Sequence, residues 1–152
     1  MTLENLLAIH KLQAFDASAA GVQRLLTAAE RNLCDADLEA LSPENCFDAA
    51  YKAIMQCAMI GLWANGYRTS TSQPGHHQTA LQVLPKTMGV AQDVVIVLDA
   101  LRKQRNLNDY EGDPIADSVV AECRHQAARL LEHLRVWLQR HRPDLLANQE
   151  PG

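Results

Sequence analysis

Arg105 and Tyr110 bound the stretch of this chain best suited to chemistry, Arg105-Asn106-Leu107-Asn108-Asp109-Tyr110. A guanidinium is planar, charged at any working pH and rich in N–H donors, so Arg105 is a natural phosphate ligand. Tyr110 carries a phenol whose unperturbed pKa is about 10, which makes it a poor base near neutrality. It is better suited to donating a proton or a hydrogen bond, or to stacking on a nucleobase. Arg102 lies three residues before Arg105 and shares a helix face with it, the spacing of a phosphate clamp. Lys103 points elsewhere and reads as solvated. The structural alternative is an ion pair between Arg105 and Asp109, one helical turn on, with Tyr110 filling a helix junction.

His76 and His77 offer a second chemistry, because an imidazole with a pKa of about 6.5 exchanges protons at neutral pH. Helix neighbours face different ways, so the two do not share a metal without ligands from elsewhere. Gly75 before them lets backbone approach a ligand closely, and a helix start favours an anion. If this stretch folds over Arg105, one of the pair, His77 in this reading, brings an acid–base group to the phosphate ligand. Capping or a surface role is the plainer alternative. Tyr67, Arg68 and Thr69 belong to the same stretch, and Arg68 joins the candidate binding residues. His125, His133 and His141 recur every eight residues, a separation of about 12 Å that is too long for one metal site. With Arg124, Arg129 and Arg135 among them, they read as the polar outer face of a helix. Cys34, Cys46, Cys57 and Cys123 include no CxxC pair and are expected to be buried, reduced thiols. No metal or cofactor is expected.

The segment LRKQRNLNDYEGD follows an apolar helical run and leads through Gly112-Asp113-Pro114 into another long helix. With Asn106 after Arg105, it resembles the motif of the HEPN superfamily. These are small helical bundles whose signature is Arg, often followed by Asn, then His four to six residues after the Arg. Tyr110 stands here at the position of the His. The resemblance spans about Phe47 to Trp137. It implies a homodimer that brings two copies of the motif together, with RNA or a nucleotide as ligand. It also implies metal-independent endoribonuclease chemistry in a toxin–antitoxin, stress or defence setting. Arg105 and Tyr110 are then the candidate catalytic residues. Arg102, Asn106, Asp109, His77 and Arg68 are the candidate substrate-binding ones.

The elements that must position these residues are helices. Thr2 to about Phe15 reads as a short helix, and Asp16 to Ser18 as a break that caps the next. Val22, Leu25, Leu26, Ala29 and Leu33 then recur at helical spacing, fading at Cys34 to Asp37. Ser42-Pro43-Glu44 combines a capping hydroxyl, Pro at the first helical position and an early acid, a strong helix start. The helix that follows runs to Asn65-Gly66 and is apolar along Phe47, Ala50, Tyr51, Ile54, Cys57, Ala58 and Leu62, widened by Met55 and Met59. It should be central. Tyr67 to Gly75 reads as a loop, followed by a short helix interrupted around Pro85 and Gly89. Ala91 to about Arg105 is helical, and Asp113-Pro114 is expected to start the last long helix. Its seam is Val120, Cys123, Ala127, Leu130, Leu134 and Trp137, and Pro143 ends it. No strand is expected. The result is an all-α bundle of five or six helices with a four-helix core, one domain over 1–146 and a disordered tail over 147–152.

A chain of 152 residues matches one domain of about 100–150 residues. Its net charge of −4 argues against a protein that coats nucleic acid non-specifically. The charge is uneven: six Lys/Arg and ten Asp/Glu precede Arg102, whereas eight of each follow from there. Cations are therefore concentrated near the motif. No apolar run reaches the roughly 18 residues of a membrane span and no leader is read at Met1, so a cytoplasmic location is expected. Two rivals to an RNA enzyme stand beside it. One is a non-catalytic partner module of an antitoxin or of a nucleotidyltransferase that modifies Tyr110. The other is a DNA-binding regulator, disfavoured by the lack of a basic recognition helix.

Overall fold

The computed structural model describes residues 2–72 and 74–146. The side chain of Tyr110 and the tail expected over 147–152 lie outside the described residues. Four long helices form the frame: α2 (Ala19–Asp35), α3 (Pro43–Ala64), α6 (Gln92–Glu111) and α7 (Asp117–His141). Short helices α1 (Leu3–Ala8), α4 (His76–Gln82) and α5 (Leu84–Met88) complete an all-α bundle, closed by a 3-10 turn over Pro143–Leu146. Seven α-helices are thus seen among the described residues where five or six are expected. The segment after the polar stretch is two short helices joined at Val83. Pro85 has no N–H with which to extend α4.

α3 is the hub. Ser42 Oγ accepts from Asn45 N–H at 3.2 Å and Pro43 sits in the first turn, as the sequence signal implies. Its buried residues point in every direction, from Cys46 and Phe47 to Leu62 and Ala64, because α2 and α7 flank it while α4, α5 and α6 cover much of the rest. Gly61 lets α5 come close: a Cβ there would lie 3.2 Å from the Met88 side chain. The far end of α3 is held by Asn65, whose Nδ2 donates to Gly61 O at 2.8 Å and Thr87 O at 3.1 Å. Arg142 Nη1 donates to Ala64 O at 2.6 Å, tying the end of α7 to the same place.

The backbone departs from the sequence expectations in four further places. The first helix ends at Ala8 rather than near Phe15, and His10 turns the backbone at φ 64°. Residues Leu12–Ala14 form β1, antiparallel to β2 (Tyr67–Thr69), with Leu12 opposite Thr69 and Ala14 opposite Tyr67. A partner more than fifty residues away satisfies these backbone groups, so local periodicity does not reveal the strand. Helix α6 runs past Arg105 to Glu111 and stops at Gly112, whose φ of 68° is the left-handed conformation that ends helices. Helix α7 begins at Asp117 instead of Asp113-Pro114. Ile115 between them is buried, and its N–H donates to Glu44 Oε2 at 3.3 Å, which keeps the backbone off the helix until Ala116. Of the four thiols expected to be buried, Cys34 is exposed at the end of α2, while Cys46, Cys57 and Cys123 are buried.

Candidate functional site

One open cleft gathers the chemistry. Its volume is about 400 Å³, and α3 supplies its floor through Asp48, Tyr51, Lys52, Met55, Gln56 and Met59. His77, in the first turn of α4, and Arg105, on α6, stand over that floor. The spacing explains the row, since residues three and four apart on a helix share a face.

Tyr51 joins the two overhanging groups. The Arg105 guanidinium carbon lies 5.3 Å from the Tyr51 ring centre, a cation–π distance. Tyr51 Oη lies 3.3 Å from His77 Nδ1, and either the hydroxyl or the ring N–H donates according to the imidazole tautomer. Tyr51 is itself only 2% exposed and stacks on Phe47 at 6.5 Å, so it is a rigid post between a cation and an imidazole. Burial pushes the Tyr51 phenol up to about 12 against the opposing pull of Arg105 and Arg102, so it stays protonated. His77 moves the other way. Burial lowers its pKa, and the neighbouring His76, Arg105 and Arg102 charges lower it further, which leaves a neutral imidazole at neutral pH. In the floor, the Asp48 pKa is raised by burial and by Asp109, with Arg105 and Lys52 opposing.

The sequence candidates divide. Arg105 and His77 meet in the cleft, as a fold of the polar stretch over Arg105 requires. Asp109 lies beside them, with Arg105 Nε 3.5 Å from its Oδ2, so the ion pair posed as the structural alternative exists as well. At 3.5 Å the contact is long, and no other ion pair involves Arg105 among the described residues. Arg102 Nε donates to Asp99 at 2.8 Å, and Arg102 is not among the residues that line the cleft. Burial alone would raise Asp99, but the Arg102 bond and charge hold its carboxyl below the usual range. Asn106 is exposed on α6. Arg68 donates from Nε to Gln13 at 3.1 Å and lies over the Phe15 ring at 5.2 Å, on the β1–β2 pair and outside the cleft lining. The Tyr110 backbone lies in the last turn of α6.

No protein-family model, curated protein or solved structure matches this chain.

Asp48, Lys52 and Gln56 are the residues that sequence reasoning missed. They recur at i, i+4 and i+8 beside the apolar row Tyr51, Met55 and Met59, but a polar row on a central helix looks the same whether solvent or a ligand covers it. Among the described residues no three His, Cys, Asp or Glu side chains converge as a metal site does. A second groove of about 410 Å³ lies along α7, lined by Met88, His133, Val136, Trp137, Arg140 and others. His133, read as solvated, is within 2.7 Å of Met88 O there, and Trp137 stacks on His141 at 4.8 Å. The cleft at Arg105 pairs a guanidinium with an imidazole whose pKa is lowered by burial.

Proposed function

We propose that this chain is a HEPN-like RNA-binding protein that cleaves RNA without a metal. The observation that supports the reading is the placement of His77 and Arg105 around one Tyr51 ring, at the mouth of an open cleft. In this reading Arg105 binds the scissile phosphate with its terminal nitrogens, and Lys52 adds a second positive charge. His77 takes the role that the motif's own His lacks here, Tyr110 standing in its place. The productive tautomer carries the proton on Nδ1, donates it to Tyr51 Oη, and leaves Nε2 free as a base. Nε2 removes the 2′-OH proton as that oxygen attacks phosphorus. The bond to the 5′ oxygen breaks, and solvent protonates the leaving oxygen while the imidazolium returns its proton to solvent. The products are a 2′,3′-cyclic phosphate and a 5′-OH. A homodimer in a cytoplasmic toxin–antitoxin, stress or defence system is the setting that the resemblance brings with it.

The test is cleavage of a mixed RNA pool in a chelator, with Arg105→Ala, His77→Ala and Tyr110→Phe alongside. Loss of a general base is worth about 10²–10⁴-fold. His77→Ala and Arg105→Ala are each expected to fall by at least the lower figure, and Tyr110→Phe reports whether its hydroxyl takes part. Intact RNA under concentrated wild-type protein overturns the enzyme and leaves a binding or partner module.

A further inference from the structure

Arg105 and His77 both lie against Tyr51, at one end of the cleft. Along α3 its lining changes character, from Asp48, Tyr51 and Lys52 beside Arg105 to Met55, Gln56 and Met59 further on. Tyr51 to Met59 spans about 12 Å of helix, longer than one phosphate needs. Met55 is buried and Met59 half-buried, so the far end is a thioether wall. Gln56 lies between them, its Oε1 accepting from Asn32 Nδ2 of α2 at 2.8 Å. That bond holds the amide in place, and its Nε2 has no partner among the described residues. A charged end joined to an apolar wall with one held amide matches a nucleotide, whose base has apolar faces and a hydrogen-bonding edge. Thioether sulfur packs favourably on aromatic rings. An aliphatic ligand would leave the amide unused.

We propose that the groove seats one unpaired nucleotide lengthwise along α3, its phosphate toward Arg105 and Lys52 and its base against Met55 and Met59 with the edge at Gln56. The inference rests on the RNA reading of this cleft and adds the form of the substrate. A base paired in a duplex has its edge occupied and its faces stacked, so it does not enter. Asp48 at the phosphate end favours a singly charged phosphodiester inside a strand over a doubly charged terminal phosphate.

The test is a titration of protein labelled with ¹³C on the methionine methyls, followed by NMR. The probes are d(ApA), which lacks the 2′-OH and is not cut, and dimethyl phosphate, which carries the same charge and no base. Met55→Leu and Met59→Leu assign the two signals. Met88, packed against Gly61 and bordering the second groove, is the internal control. The expected result is that d(ApA) moves the Met55 and Met59 methyls, leaves Met88 in place and binds about tenfold tighter than dimethyl phosphate, a gain that Met59→Ala removes. Equal affinity for the two probes, silent Met55 and Met59 methyls, or a shift confined to Met88 overturns the seat. The cleavage assay is read separately. Methyl shifts without cleavage keep the seat and reject the reaction; cleavage with silent methyls does the reverse.

Discussion

His77 is the residue on which the chemistry turns, and its ionisation is open to direct measurement. Its pKa is lowered chiefly by burial, then by His76, Arg105 and Arg102, while the Tyr51 hydroxyl facing it remains protonated to about 12. A ¹H–¹⁵N titration is expected to find His77 below the unperturbed imidazole value. Arg105→Ala should move its midpoint upward but leave it depressed, because burial is the larger cause. A midpoint unchanged by that substitution would separate the two groups and remove the electrostatic link across Tyr51. The sign carries over to stability. A His whose folded pKa is depressed contributes fully above the unfolded value of about 6.5, and that contribution is lost as pH falls through the folded pKa.

Among the elements, α3 has to be held at both ends, because it carries the floor of the cleft and most of the core. Its start is local: Ser42 and Pro43 announce it, and the structure places it there. Its end depends on other elements, through Asn65 bonding Thr87 O and Arg142 bonding Ala64 O. Asn65→Ala leaves two carbonyls without this donor and is expected to cost about 1–3 kcal/mol. Urea unfolding monitored by circular dichroism checks it, and a loss below about 0.5 kcal/mol, the smallest worth of one hydrogen bond, would show that the cap does not hold α5 to α3. The same division governs what could be read in advance. Cap-and-proline signals located α3, and apolar spacing located α2 and α7. Asp113-Pro114 carries a similar signal and misleads, because Ile115 is drawn into the core and Glu44 takes its N–H. The β1–β2 pairing was illegible for the same reason, its partner lying far along the chain.

For the molecule as a whole, one core spans every helix, and its thiols report on its integrity. Burial pushes Cys57 and Cys123 up to about 12 from an ordinary 9.0, and Cys46 is buried as well, whereas Cys34 is exposed. A disulfide reagent at pH 8 is expected to label Cys34 quickly and the other three only on unfolding. Labelling of Cys57 or Cys123 at the Cys34 rate in native protein would mean that the core opens without global unfolding.

The helical class, the central position of α3 and the chemical promise of Arg105 follow from the order of residues, because helix periodicity, caps and guanidinium chemistry are local properties. The neighbourhood of Arg105 does not. Which of its possible partners it meets depends on how α4 and α6 pack on α3, and packing is a sum over contacts distant in sequence. It turned Arg102 toward Asp99 and Arg68 toward Phe15, and it brought His77 to Tyr51. The polar row of Asp48, Lys52 and Gln56 became the floor of a cleft through the packing that set His77 of α4 and Arg105 of α6 beside it.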